Sequence, residues 1–466
     1  MSFWLLFQQQ ESAKDYCYDP KGGNPSPAPV APAPTSPTPP EVTYKPGEAT
    51  VYQEGLLLST GLRARRIATK NERVQYFDGS LSTDIFHTAP DAAAVFEDPA
   101  TGDYVYVSNS ESATDGGVGA IRFNAQGQVI GYQRLLFQDP NSGVLSRSRT
   151  SRNCGGGKTY WGTWMTCEEW NSGQVWEVDP WGRFPGRQMK LGGNGRAYES
   201  AAYDNRNPMR PTFYVTTDEV NGPLVKYTPA PTVSEAAATS GDYSQMLHSA
   251  GGLFQYFMIT TIQTNADGTT TGTYVWTSSE DEGNASALRY HVQGEGIDIR
   301  QGKLYYTTKA AKYLFIIDLD TGTFSRSSTV SGAFDSQPDQ VARVLDFTSG
   351  ATDGILYFCE DGGSQCGIHG RDAQGRFFTI LQSASSALSG ETTGLAFSPG
   401  GMYMYVSFQS PGIIFEISRT DGLPFHGATL DIKYHASGGD SGIFVRKLYE
   451  DNAKTCEYNT EMCGPL

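Results

Sequence analysis

Six short apolar strands in this sequence run into acidic or polar residues, and each is followed by a second strand and a tight turn. In order they are "DYVYVSNSE" before "GAIRFNAQGQVIGYQRL", "WGTWMTCEEW" before "GQVWEVDPWGRFPGRQMKL", "TFYVTTDE" before "GPLVKYTP", "KLYYTTK" before "YLFIIDLDTGTFSRSS", "ILYFCEDGG" before "GIHGRDAQGRFFTIL", and "MYMYVSFQSPG" before "IIFEISRTDGLPF". A unit of roughly 40 to 80 residues that is all β and recurs irregularly cannot bury a core alone, but units stacked around an axis can. The sequence therefore predicts an all-β fold, a six-bladed β-propeller, over residues 47–430. A β-sandwich with coincidental hairpins is the alternative. Charged residues make up only 18% of the chain, and glycine, tyrosine and phenylalanine are abundant. That mix favours short strands and tight turns over helical bundles.

Residues 1–46 read as a separate segment. They carry Cys17 and a proline-rich linker, "GNPSPAPVAPAPTSPTPPEVTYKP", whose composition is extended and unable to pack a core. Residues 431–466 read as a C-terminal tail in which Cys456 and Cys463 are expected to form a local disulfide. Cys359 and Cys366 are a second candidate pair. With the sequon at Asn284, these pairs point to an oxidising compartment and a secreted protein. The start, "MSFWLLFQQQ", lacks the basic region of a signal peptide, and no stretch is long enough to span a membrane. A net charge of −15 argues against nucleic acid as a partner and is compatible with bound cations.

Upstream of each repeated strand stands a residue able to bind a metal: Asp91, Cys154, Glu199, Glu295, Asp339 and Glu391. The innermost strands of a propeller line its central channel, so equivalent positions form a ring. The repeated strands add Glu111, Glu168, Asp218, Glu219, Glu360 and Asp361. Taken singly, any of these is more often a turn residue or a solvated one. "YWGTWMT" reads as core packing, and Cys154 with Cys167 as either a disulfide or inert buried thiols. Repetition at one level of the fold outweighs those readings. The glycines of "GGG" and "GEG" leave room for crowded backbone around a site.

Two carboxylates 4 Å apart repel by about 4 kcal/mol at an effective dielectric near 20. Such a ring must protonate, spread apart or bind cations. Few basic residues lie in these segments, so metal ions are the expected solution. Oxygen-rich sets suit calcium, magnesium or manganese, and a thiolate favours iron or zinc on its side. Of the six histidines only His291 falls near the ring, which argues against a histidine-built zinc site.

"NCGGGKTYWGTWMTCEE" resembles the signature of the PhoX-type alkaline phosphatases. The resemblance continues through "GRAYESAAYD", "EGIDI", "PDQV", "LYFCEDGG" and "GETTGLAFSPGGMYMYVSFQSPGIIFEI", spanning about residues 80 to 420. It implies a six-bladed propeller with a buried cluster of iron and calcium that hydrolyses phosphate esters. On this chain it implies Cys154, Glu199, Glu295 and Asp339 as iron-side ligands, the first three being catalytic. It implies Glu111, Glu168, Asp218, Glu219, Glu360, Asp361 and Glu391 as further metal ligands. Cys167 is left without a role.

The departures fall on the substrate side. The family's arginine two residues before the glutamate of "EGI" is Gln293 here, and Tyr198, Tyr160 and Gln340 replace the family's histidine, proline and asparagine. Losing a bidentate cation weakens phosphate binding. His291 and Arg152 are the candidate substitutes. The expected function is a secreted, metal-dependent phosphoesterase acting on a small phosphate ester, with Ca2+ and Fe3+ as cofactors. The alternatives are a calcium-dependent hydrolase of another ester, such as a lactone, and a non-catalytic calcium-binding extracellular propeller.

Overall fold

A computed structural model of the chain describes residues 49, 51–266, 268–343, 355–363 and 365–425. The proline-rich linker, Cys17, and the tail with Cys456 and Cys463 lie outside the described residues. Within them the fold is nearly all β, with two α-helices, Pro231–Ser240 and Glu280–Tyr290.

The strands form antiparallel sheets in a propeller-like arrangement. Three sheets are separate four-stranded units, led by Pro90–Glu97, Asn153–Lys158 and Thr392–Phe397. A nine-stranded sheet joins two runs, led by Tyr198–Asp204 and Gly294–Arg300, through the long hairpin Leu253–Thr264 and Thr270–Thr277. A six-stranded sheet is led by Gln337–Arg343. These leading strands contact one another in chain order, and Thr392–Phe397 returns to contact Pro90–Glu97. The early strand Leu62–Thr69 closes the circuit, pairing with Ile413–Arg419 as the outer strand of the last sheet.

The core is a set of apolar layers between successive sheets. Tyr357, Ile368 and Leu381 of one sheet meet Met404 and Phe415 of the next. Tyr405 and Ile414 then meet Tyr104, Tyr106 and Ile121. Val105 and Val118 meet Trp164 and Trp176. Because each sheet is covered on both faces, strands such as Tyr104–Ser110 are buried at every position, and their apolar stretches, such as Tyr104 to Val107, show no alternation with polar residues. Burying a phenylalanine such as Phe415 contributes about 2 kcal/mol, and many such residues line these layers.

Cys359 and Cys366 are free thiols buried in one apolar layer, which corrects the expected pairing. Cys167 is likewise free and packs in the core beside Met165 and Val175. The sequon asparagine, Asn284, lies in the helix Glu280–Tyr290 and accepts a hydrogen bond from Arg196. No described helix is long and apolar enough to cross a membrane.

Candidate metal centre

Each leading strand carries a register shift near its start, where it pairs with the second strand of its sheet. The shifts fall between Pro90 and Ala93, Asn153 and Gly156, Tyr198 and Ala201, Gly294 and Ile297, Pro338 and Val341, and Thr393 and Ala396. A bulge of this kind re-aims a side chain. The first bulged residues are Asp91, Cys154, Glu199, Glu295 and Asp339, and all five are buried. The sixth is Gly394. Glu391 comes three residues earlier, where it bridges Asp361.

Hydrogen bonds from the neighbouring run of strands fix the backbone of these bulges. Asn109 donates to the carbonyl of Cys154 at 2.7 Å, Thr216 to that of Glu295 at 2.6 Å, and Thr307 to that of Asp339 at 2.9 Å. The next residue along must be small where the neighbouring bulge presses in. A Cβ on Gly155 would sit 1.8 Å from the Glu199 carbonyl oxygen, and one on Gly296 would sit 2.5 Å from that of Asp339. Ala89, Arg152 and Gln293 each stand two residues before a ring residue with φ between 44° and 56°. Side chains rarely adopt that region, and such strain clusters at functional sites.

A second tier lies where the second strands end. Glu111, Glu169, Asp218 and Lys309 follow the last paired residues there, Asp361 is itself the last paired residue of its strand, and all five are half-buried. Glu168 and Glu360 lie one residue earlier and are bound elsewhere. Glu168 accepts from Ser151 N, Gln174 N and Trp176 Nε1. Glu360 accepts from Ser336 N and Gly367 N and contacts His369. Glu219 is paired with Arg196. Sequence reasoning missed Glu169 and Lys309; the signal available was the period of two along each strand.

Three donor groups converge, each with ligand atoms within 4.8 Å of one another: Asp91, Glu111 and Cys154; Cys154, Glu169 and Glu199; and Glu199, Glu295 and Asp339. Cys154 and Glu199 each belong to two groups. Cys154 Sγ lies 3.5 Å from Asp91 Oδ2. Gln340 donates to Asp91 Oδ1 at 2.5 Å, and Gln409 donates to both Asp91 Oδ2 and Glu111 Oε2 at 2.7 Å.

Burial raises the pKa of most of these groups. Asp91 is pushed well up by burial and by the charges of Glu111 and Asp339. Glu199 is raised by burial and by Glu295. Burial pushes Glu169 up to about 9 and Asp339 up to about 7, with Lys309 opposing in both. The Cys154 thiol is driven upward by burial and by the carboxylates around it. Asp339 Oδ2 is buried without a hydrogen bond, and Glu295 Oε1, also without one, has the Lys309 ammonium at 3.4 Å. Carboxylate oxygens left without hydrogen-bond donors, in a cluster that also holds a thiol, are a donor set that suits a cation.

His291 packs among Phe257, Tyr306 and Phe315, with burial pulling its pKa down to about 3. Tyr198 donates to the Gly192 carbonyl, within the core. Arg152 is exposed beside the ring, and its charge acts on Glu111. Beyond the ring, all the leading strands line an open cavity of about 640 Å³.

The fold and this cluster define a propeller-like protein with a buried, metal-competent acidic centre. Among solved structures the chain is similar to PhoX of Pseudomonas fluorescens in complex with vanadate, a transition state analogue. The TM-score is 0.61 at 16% identity, over 83% of this chain and 99% of that one. The PQQ domain of pyranose dehydrogenase from Coprinopsis cinerea matches at a TM-score of 0.40 and 12% identity, over 78% and 97%. No family model and no curated protein matches the sequence.

Proposed function

We propose that this chain is a secreted, metal-dependent phosphoesterase on a six-bladed β-propeller, with its metals held at the bulges of the inner strands. One observation carries the reading: three donor groups are chained through the shared ligands Cys154 and Glu199. The PhoX structure, bound to a transition state analogue, supports it at the level of fold.

In this reading Asp91, Glu111, Cys154, Glu169, Glu199, Glu295 and Asp339 hold iron and calcium. Glu391 lies at the margin. Bound metal would polarise a phosphoryl oxygen and offset its charge. The chain's own residues hold and orient. The bulges fix the donors, and the hydrogen bonds from neighbouring runs of strands to the carbonyls of Cys154, Glu295 and Asp339 keep them from collapsing together. Gln293 donates to Asp218 Oδ1 at 2.9 Å and presents a neutral amide. Arg152 is the exposed guanidinium nearest in role to a phosphate grip.

The test is elemental analysis of the purified full chain together with hydrolysis of p-nitrophenyl phosphate. Iron and calcium with measurable turnover are expected. Calcium without iron and without turnover would favour the second reading, a calcium-binding extracellular propeller, to which Gln293 in place of a cation lends support.

A further inference from the structure

We infer that Lys309 is a built-in cation that occupies the place of a divalent ion on one side of the ring. The inference rests on the metal-centre reading above. Lys309 follows the strand Lys303–Thr308 at the level where the other runs of strands place Glu111, Glu169, Asp218 and Asp361. Its Nζ lies 3.0 Å from Asp361 Oδ2, 3.4 Å from Asp218 Oδ2 and 3.4 Å from Glu295 Oε1.

Three carboxylates, from the two runs of the nine-stranded sheet and from the six-stranded sheet, thus converge on one ammonium. An all-oxygen set of this kind is what calcium takes. A lysine ammonium brings three donors and one charge to the same point. The metal-competent groups stop where Lys309 begins: Asp218 and Asp361 belong to none of those among the described residues, and Glu295 is the shared boundary. The backbone fixes the lysine there, since its N–H donates to the Gln293 carbonyl at 2.8 Å. The second oxygen of Asp218 is taken by the Gln293 amide. A positive charge supplied from within offsets part of the negative charge of this quarter and leaves metal binding to the Cys154 side.

The experiment is equilibrium dialysis of the full chain against radioactive calcium, with elemental analysis, for wild type, Lys309→Met and Lys309→Arg. Lys309→Met is expected to bind one more calcium per chain than wild type, and Lys309→Arg the same number. Adding Asp361→Asn to Lys309→Met should abolish the gain. An unchanged calcium count in folded Lys309→Met overturns the inference. Should that variant unfold, refolding in calcium supports it, and failure to fold at any calcium level overturns it. Wild type with metal and no gain in the variant defeats this inference alone. Metal-free wild type with a calcium-binding variant defeats the metal-centre reading alone, and no binding by either defeats both.

Discussion

Cys154 Sγ donates to Glu199 Oε1 across 3.3 Å, joining the second leading strand to the third. A neutral thiol has one proton and cannot serve both Glu199 and Asp91; as a thiolate among carboxylates it needs a cation. Sulfur is the soft member of the set and selects a transition metal over calcium. Cys154→Ser is therefore expected to lose roughly nine-tenths or more of any bound iron, as a thiolate becomes a weak hydroxyl ligand. Calcium content should be kept. Elemental analysis of the two proteins side by side checks this, and equal iron would remove Cys154 from the centre.

Calcium removal should destabilise the chain. Metal bound only by the native state adds to folding stability, about 2.7 kcal/mol at a hundred times its Kd. EGTA should then lower Tm by several degrees. An unchanged melting curve, with metal loss confirmed, would mean the carboxylates hold no calcium.

The pH dependence should reverse with metal. In the metal-free chain, burial raises Asp339 to about 7 and Glu169 to about 9, and raises Asp91, Glu199 and Glu391 as well. A carboxylate whose folded pKa exceeds its unfolded value binds more protons when native. Its contribution is full below about pH 4 and is lost as pH rises through the folded value. Urea midpoints in EGTA should therefore fall between pH 5 and pH 9. Calcium needs deprotonated ligands, so with calcium saturating the midpoints should hold or rise over the same range. Parallel falls in both buffers would exclude metal at these groups.

Much of this arrangement was legible in the sequence, because repetition placed Asp91, Cys154, Glu199, Glu295 and Asp339 at one level. Their bulges and the pressure on Gly155 depend on contacts between sheets, which no local pattern encodes. Glu391 looked equivalent by spacing, yet the register gives its level to Gly394. Lys309 gives no such signal, because a lysine after "YYTT" reads as a solvated strand end.

Gln293→Arg should raise phosphatase activity. The amide stands two residues before Glu295 with φ 56°, beside Asp218. A guanidinium there gains charge and a bidentate grip, and lost transition-state donors cost about 10²-fold in kcat. An increase of about tenfold or more in kcat/KM for p-nitrophenyl phosphate is expected. No change, with metal content intact, would place the substrate elsewhere.

The adjacent pair Glu168 and Glu169 offers the sharpest comparison, since neighbouring residues on a strand face opposite ways. Glu168 is met by three N–H donors, from Ser151, Gln174 and Trp176. Truncating it strands those donors, each costing about 1 to 3 kcal/mol where buried. Glu168→Ala should therefore destabilise the chain by about 3 kcal/mol or more without changing metal per folded molecule. Glu169 instead shares a donor group with Cys154 and Glu199, and its charge is opposed by Glu111 and Asp218. Glu169→Gln should lower metal content while leaving the metal-free protein as stable as wild type or more so, because the amide stays neutral at every pH whereas the buried carboxyl must hold a proton up to about pH 9. Chemical denaturation in EGTA and elemental analysis separate the two outcomes. Should Glu168→Ala lose metal and Glu169→Gln keep it, the second tier of the centre has been placed on the wrong residue.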